Sequence, residues 1–310
     1  MTAIPPPSQP TVDAIWRARE AAAADRPEYL TGGISASLVG NECDRALFYE
    51  LRWVSEPEKF NGRTLRIFER GDIEEQRVYA DLRAAGVSIN EQAEFAAVNG
   101  FLRGRADGIA TGILEAPTAR HVLEIKSAKA ADWRAVQKHG VAKAKPLHWH
   151  QLHAGMSCMG IDRGFYVMVN KDTEEILTER IHLDPEVAGR QEARVARIVD
   201  AHDAPGRASD DPEAFGCRFC KHREVCHTAK PARRTCRSCL HWSFTRDGLG
   251  HCERFDRPMR RETQAEACPA HTFLPTLVPG EQFDADPEME TVSYIMTDGS
   301  VWIDGPGARK

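Results

Sequence analysis

The sequence has no long apolar segment and no pattern typical of a secretory signal. None of its apolar runs approaches the ~20 residues that a helix needs to cross a bilayer. The Pro-rich residues 1–10 lack a charged region followed by an apolar one. No internal repeat of useful length is present, which excludes a repeat architecture. These absences predict a cytoplasmic protein with no membrane association.

A surplus of basic residues is also missing, because the 310-residue chain has a net charge of −5. This charge argues against a generic nucleic-acid coat, but its distribution is uneven. Residues 120–150 contain seven Lys/Arg against two acids, residues 217–239 seven against one, and residues 281–310 two against seven acids. Each basic region could face a phosphate backbone. The alternative is that both regions are solvated surface.

Hydrophobic periodicity predicts a mixed α/β fold. Ser35 or Ser37 is expected to cap a helix that runs to about Trp53. Helices are further predicted at 12–24, 65–85, 130–138, 148–159 and 185–202, and strands at 87–97, 101–114, 121–127, 164–170 and 175–182. This order predicts a small mixed sheet with helices on both faces. After residue 203, periodicity fades and Cys, Pro and Gly become frequent, and a hairpin is predicted around Asp298-Gly299.

Two carboxylates and a lysine lie on neighbouring predicted strands. Asp107 lies near the end of one strand, and Glu124 and Lys126 lie on the next. Residues two apart on a strand point to the same side, so Glu124 and Lys126 face one site while Ile125 points into the core. Hard divalent cations prefer carboxylate oxygens, and a cation of this kind can activate water for phosphodiester hydrolysis. In isolation, a Glu-x-Lys pair on a strand is more often a surface ion pair.

These residues resemble the PD-(D/E)XK nuclease superfamily, and within it the RecB-like branch. The sequence Gly71-Asp72-Ile73-Glu74-Glu75 resembles a helical element of that branch whose last residue is a metal ligand. Gln151 resembles its glutamine motif, and Asn170-Lys171 follows the next strand as in related phage exonucleases. The resemblance covers roughly residues 36–230. It implies a restriction-endonuclease-like fold and a divalent-metal-dependent nuclease.

The resemblance also assigns roles to individual residues. It implies a catalytic set of Asp107, Glu124, Lys126 and Gln151, and a Mg²⁺ or Mn²⁺ site of Glu75, Asp107, Glu124 and the carbonyl of Ile125. Basic residues expected to contact DNA are Arg105, Lys129, Lys138, Lys143 and Lys145. His148, His150 and His153 could suggest a zinc site, but no acidic residue lies at ligand spacing, so structural or phosphate-contacting roles are expected.

Eight of the nine cysteines lie outside the middle of the chain, in two sets. The first is Cys43 with Cys217, Cys220 and Cys226. One early and three late cysteines resemble the iron–sulfur exonucleases of CRISPR adaptation and the AddB-type domain, which implies a structural [4Fe–4S] cluster. Zinc or unmetallated thiols are the alternatives.

The second set comprises Cys236, Cys239, Cys252 and Cys268, whose spacing fits a structural zinc site. His241, His251 and His271 are possible substitutes as ligands. The module could brace the nuclease, bind DNA or bind a partner protein. Cys158 is left over and is expected to be a buried thiol.

Four segments are therefore expected. These are a flexible leader with a helix (1–34), a RecB-like nuclease domain with an iron–sulfur cluster (35–230), a four-cysteine zinc-like module (231–275) and an acidic tail with a β-hairpin (276–310). The expected function is a DNA nuclease, an exonuclease in recombination, repair or phage replication, in a bacterium or a phage-infected host. Its expected substrate is DNA, single-stranded or with free ends, and a recombination or replication protein is a possible partner. A non-catalytic DNA- or protein-binding module and an RNA-directed nuclease are the alternatives.

Overall fold

A computed structural model describes residues 9–26, 31–246 and 248–309 of the chain. The N-terminal part contains α1 (Pro10–Ala24), the short strand β1 (Ile34–Ser35), α2 (Asp44–Leu51) and α3 (Gly62–Ala84). The side chain of Asn61 caps α3 by accepting the N–H of Thr64 at 2.9 Å. The predicted leader falls partly outside the described residues, at 1–8 and 27–30.

A six-stranded mixed sheet forms the centre of the molecule. Its further strands are β2 (Ser88–Ala97), β3 (Leu102–Thr111), β4 (His121–Ala128), β5 (Arg163–Asn170) and β6 (Ile176–His182). The order is β1-β3-β4-β5-β6, with β2 paired to β3; β4 and β5 are parallel, while β3 and β4 are antiparallel. Since β2 occupies one edge of β3 along its length, β1 and β4 share the other edge at opposite ends.

Helices cover both faces of this sheet. The parallel connection from β4 to β5 contains α4 (Ala130–Ala144) and α5 (Pro146–Met159), and α6 (Pro185–Val199) follows β6. On one face α3 packs Val78 and Tyr79 against Ile125 and its neighbours. On the other face α5 packs Leu152 and other apolar residues. The predicted order of helices and strands and the mixed sheet between helices are confirmed.

The C-terminal third consists of short elements. These are α7 (Phe215–Arg218), α8 (Arg223–His227), a three-stranded sheet of β7 (Trp242–Phe244), β8 (Gly250–Cys252) and β9 (Arg257–Met259), and another of β10 (Gly280–Asp286), β11 (Thr291–Met296) and β12 (Val301–Asp304). Phe273, Leu277 and Tyr294 belong to the same hydrophobic cluster as Phe48 and Leu152. The C-terminal elements thus pack on the central sheet through a continuous apolar core.

One predicted helix start is wrong. Ser35 lies in β1, which pairs with Leu102 and Arg103 of β3, and its hydroxyl lies 2.8 Å from that of Ser37. The helix begins only at Asp44, after a turn. Pairing with β3 uses the backbone groups that a helix at Ser35 would need, so the long-range contact overrides the local capping signal.

No helix in the described part of the chain combines the length and apolar character that crossing a membrane requires.

Candidate active site

The central feature of the candidate site is the point at which β3 and β4 stop pairing. The ladder between these strands covers 108–110 and 121–123, and no pair follows Gly108–Leu123. Beyond it, Asp107 Oδ2 accepts the backbone N–H of Ile125 at 2.5 Å. The carboxylate thus takes over an N–H that the ladder no longer uses, which holds Asp107 beside β4.

Glu124 and Lys126 project from β4 on the same side, and their side chains form an ion pair. Glu124 is 1% exposed, although carboxylates are seldom buried so completely. Its Oε2 accepts a hydrogen bond from Gln151 Nε2 of α5 at 3.0 Å, while its Oε1 contacts the Lys126 ammonium and has no other donor among the described residues. Ile125 is buried on the opposite side, as the alternation predicts.

Glu75 reaches the same site from α3. Its carboxylate is hydrogen-bonded to the hydroxyl of Tyr79, and that hydroxyl also lies 2.5 Å from the backbone carbonyl oxygen of Asp107. The neighbouring Glu74 instead pairs with Arg77 at 3.1 Å. The helix therefore presents Glu75, and not Glu74, to the site.

The electrostatics reflect three carboxylates around one ammonium. Burial raises the pKa of Glu124 to about 7, and the charges of Asp107 and Glu75 add to this effect against that of Lys126. Burial and the charge of Glu75 likewise raise the pKa of Asp107, against Lys126 and the Ile125 N–H. Burial opposes the charge on Lys126, but Glu124 and Asp107 outweigh it and raise its pKa. The fully ionised cluster has two surplus negative charges, which a divalent cation would neutralise.

Sequence reasoning missed Tyr79 and the pair His148–Tyr166. Tyr79 lies four residues after Glu75 on α3, a spacing at which helical side chains meet, so the helical pattern contained a signal for it. His148 Nδ1 lies 2.8 Å from the Tyr166 hydroxyl. Burial, with the charges of Lys126 and Lys145, lowers the pKa of His148 to about 4. No sequence spacing connects His148 with Tyr166, because they lie on α5 and β5.

The other two histidines of the possible zinc site also have separate partners. His150 Nδ1 contacts Gln191 Nε2 at 2.9 Å, and His153 Nδ1 contacts the carbonyl oxygen of Trp149 at 2.8 Å. These contacts agree with structural roles.

A cleft of about 1400 Å³ is connected to the carboxylates through Gln151, which lies on its wall and donates to Glu124, whereas Glu75, Asp107, Glu124 and Lys126 do not line it. Gln151 and Arg105 lie on its wall, as do the aromatic side chains of Trp53 and Phe95. Of the residues predicted to contact DNA, Arg105 lies in this cleft. The four lysines lie elsewhere: Lys129, Lys138 and Lys143 are exposed along α4, and Lys145 pairs with Asp132 at 2.9 Å.

The first cysteine set is brought together from distant parts of the chain. Cys43 precedes α2, while Cys217 and Cys226 lie in α7 and α8. Burial raises the pKa of the Cys220 thiol, and the neighbouring Cys43, Cys226 and Cys217 raise it further. The fold therefore places Cys43, Cys217 and Cys226 near enough to act on Cys220.

The second set converges in the same way. Burial raises the pKa of Cys236 to about 11, with contributions from Cys268, Cys239 and Cys252. Cys236 Sγ also lies 3.6 Å from the carbonyl oxygen of Glu266.

Within residues 9–26, 31–246 and 248–309, no group of three or more His, Cys, Asp or Glu side chains is arranged so that it could hold a metal ion. Protein donors occupy the carboxylates instead: Ile125 N–H on Asp107, Lys126 and Gln151 on Glu124, and Tyr79 on Glu75. The metal sites inferred from the sequence stay predictions.

No known protein family matches the chain, and no curated protein matches it. Among solved structures, it is similar to LHK-Exo, an alkaline exonuclease from Laribacter hongkongensis. The crystal structure of LHK-Exo in complex with dAMP has 16% identity and a TM-score of 0.41, covering 60% of this chain and 90% of that chain. A second LHK-Exo structure has 18% identity, the same TM-score and the same coverage.

A phage-related exonuclease from Haemophilus somnus 129PT is also similar, with 16% identity and a TM-score of 0.32 over 41% of this chain and 66% of that chain. Identities and TM-scores this low do not transfer a function from those proteins to this chain, so the function must be argued from the site.

Proposed function

We propose that the chain is a divalent-metal-dependent DNA nuclease that hydrolyses phosphodiester bonds. The supporting observation is the convergence of Glu75, Asp107, Glu124 and Lys126 where β3 and β4 diverge, beside a cleft of about 1400 Å³. One of these carboxylates lies on a helix and two lie on strands, and together with Lys126 they leave a surplus of negative charge. Mg²⁺ and Mn²⁺ prefer oxygen donors of this kind.

In this proposal Glu75, Asp107, Glu124 and the Ile125 carbonyl hold the metal ion. When bound, the ion supplies Lewis-acid stabilisation of the phosphate and lowers the pKa of a water molecule. The fit has a structural basis in Glu124, whose buried Oε1 has only the Lys126 ammonium as a partner. Lys126 orients the attacking water and offsets negative charge at phosphorus. Gln151 holds Glu124 in place.

The proposed substrate is DNA, and the proposed mode is exonucleolytic, in recombination, repair or phage replication. The arginines on the wall of the cleft support a bound nucleic-acid strand, because arginines contact phosphates.

The cysteines have a structural role in this proposal. Cys43, Cys217, Cys220 and Cys226 hold a [4Fe–4S] cluster, with zinc as the alternative, that ties α2 to α7 and α8. Cys236, Cys239, Cys252 and Cys268 hold zinc and stabilise a segment of short strands that has few apolar residues of its own. All-sulfur donor sets suit either group.

The test uses full-length protein purified anaerobically and DNA labelled separately at each end. Cleavage of single- and double-stranded forms is followed with Mg²⁺, with Mn²⁺ and with chelator. We expect metal-dependent cleavage that Asp107→Asn and Lys126→Ala reduce by ~100-fold or more, with folding retained. The order in which the two labels are released identifies an exonuclease and its polarity.

Asp72→Asn is the matched control, because Asp72 is exposed on α3 three residues before Glu75. Its activity should equal that of the wild type. Full activity of Lys126→Ala would contradict the mechanism, and no cleavage by folded, metal-loaded protein would favour a binding module.

A further inference from the structure

Four arginines from distant parts of the chain meet beside the cleft, and two of them line it. Arg52 follows α2 and Arg103 lies on β3. Arg237 and Arg261 belong to residues 231–275, which we call the C-terminal Cys-rich segment. In the part of the chain that the structure describes, none of the four forms an ion pair with a carboxylate. Buried or half-buried charges are usually paired, so this concentration of positive charge needs an explanation.

Arg237 is 1% exposed and is held by neutral groups. Its Nε donates to Gln264 Oε1 at 2.8 Å and its Nη1 to the Leu51 carbonyl oxygen at 2.9 Å, while its guanidinium lies 4.0 Å from the ring centre of Trp53. Arg52 is 4% exposed and donates to the carbonyl oxygen of Arg237 at 3.2 Å. These contacts leave both charges unneutralised, and the buried Nε of Arg52 has no hydrogen-bond partner among the described residues.

Arg103 and Arg261 differ from this inner pair. Both are half-buried, both lie on the wall of the cleft, and neither side chain donates a hydrogen bond within the described residues. Their guanidinium groups meet over Gly32, where a Cβ would collide with Arg103 Nη1 and Arg261 Nη2. The chain therefore places two like charges side by side over a residue without a side chain, in front of two more buried charges.

The charge of Arg237 is disfavoured by the three arginines around it. Burial, followed by the charges of Arg261, Arg52 and Arg103, lowers the pKa of Arg237 to about 9. Repulsion of this kind destabilises the free protein and is relieved when an anion binds between the charges.

We propose that Arg103 and Arg261 bind a backbone phosphate of the DNA strand, so that the C-terminal Cys-rich segment forms part of the DNA-binding cleft. Arg237 and Arg52 support this phosphate site from behind by adding positive potential and by fixing the segment against α2. The proposal rests on the proposed function only in taking DNA as the ligand.

The position along β3 separates this phosphate from the one that is cleaved. Arg103 precedes Asp107 by four residues, which at ~3.3 Å per residue places their Cα atoms roughly 13 Å apart. Arg105 lies between them on the same side of the strand as Arg103, and its charge acts on Asp107. The site therefore contacts the strand away from the reacting phosphate and positions it, as phosphate contacts generally do.

The test measures binding of a labelled single-stranded oligonucleotide without divalent ions, all in an Asp107→Asn background so that the DNA stays intact. Arg103→Gln, Arg261→Gln and the double variant are compared with that parent over a range of salt concentrations. Each lost phosphate contact should reduce the slope of log K against log[salt] by about 0.7 and weaken binding roughly fivefold at 0.1 M salt.

Arg120→Gln and Arg246→Gln are matched controls. Arg120 is exposed before β4 and Arg246 is exposed in the C-terminal segment, and neither lies on the wall of the cleft. Both should leave affinity and slope unchanged. Thermal unfolding separates a binding role from a structural one, since removing an unpaired charge should leave Tm equal or higher, whereas losing a structural contact lowers it.

Unchanged affinity and slope in the double variant would overturn the proposal. Inorganic phosphate could stabilise the parent but not the double variant, while the DNA affinity of the two stays the same. This result would assign the arginines to free phosphate and would also overturn the proposal. The wild type could also bind DNA without cleaving it, while the double variant loses that binding. This result would support the phosphate site and contradict the nuclease function.

Discussion

Asp107 accepts the backbone N–H of Ile125 at 2.5 Å, one residue beyond the last pair of the β3–β4 ladder. This contact explains how two strands can separate without leaving an unpaired N–H in the interior. At this point Glu124 and Lys126 flank Ile125 on β4.

Gln151 is a positioning residue for Glu124, to which it donates a hydrogen bond at 3.0 Å. We expect Gln151→Ala to lower cleavage by ~10- to 100-fold, the usual cost of removing a group that orients a metal ligand. The metal concentration at half-maximal activity should rise as well. Gln137→Ala, an exposed glutamine on α4, should have neither effect. An unchanged metal dependence in Gln151→Ala would show that Glu124 is positioned without it.

Arg237 joins the C-terminal segment to α2 by hydrogen bonds to Gln264 and to the carbonyl oxygen of Leu51. Arg237→Ala should reduce the free energy of unfolding by roughly 3 kcal/mol or more, because buried acceptors lose their donors at ~1–3 kcal/mol each. Urea unfolding measures this loss. Arg246→Ala, in the same segment but exposed, should change stability little, and equal stabilities of the two variants would contradict a bracing role.

Cys43 should be required for the metal content of the first cysteine set. We expect anaerobically purified Cys43→Ser to lose the iron, or the zinc, bound there and to unfold at a lower temperature, because the link between α2 and α7–α8 is broken. Metal analysis and visible absorbance distinguish a cluster from zinc. Cys158→Ser changes the cysteine that belongs to neither set and should keep the full metal content. Retention of all metal in Cys43→Ser would exclude Cys43 as a ligand.

His148 should lower the free energy of unfolding as the pH falls. Its pKa is lowered to about 4 in the folded state, against ~6.5 in an unfolded chain, so the unfolded state binds more protons between these values. Stability from this residue is fully present above pH ~6.5 and falls as the pH drops toward 4.

The free energy of unfolding should fall between pH 7.5 and pH 5 in both proteins. In His148→Gln this fall should be smaller than in the wild type by about 1–2 kcal/mol. Urea unfolding at the two pH values measures it. The substituted glutamine side chain can still contact the Tyr166 hydroxyl, so packing should change little. His139→Gln, at an exposed position on α4, serves as the control, and identical pH profiles for all three proteins would refute the assignment.

The sequence by itself determined the order of helices and strands and the common direction of Glu124 and Lys126. Both follow from local rules, namely hydrophobic periodicity and the alternation of side chains along a strand. The motif also pointed to Glu75, which the structure places near Asp107 and Glu124, while Glu74 turns to Arg77. The metal sites and the division into segments remain predictions.

Only the tertiary structure decided which distant residues meet. Ser35 pairs with β3 and does not cap a helix, because a long-range ladder outweighed a local preference. The convergence of Gln151 on Glu124 and of Arg237 and Arg261 on Arg52 and Arg103 depends on how the elements pack. Neither spacing nor composition encodes these contacts locally, since the free energy that selects them comes from the burial of the shared apolar core.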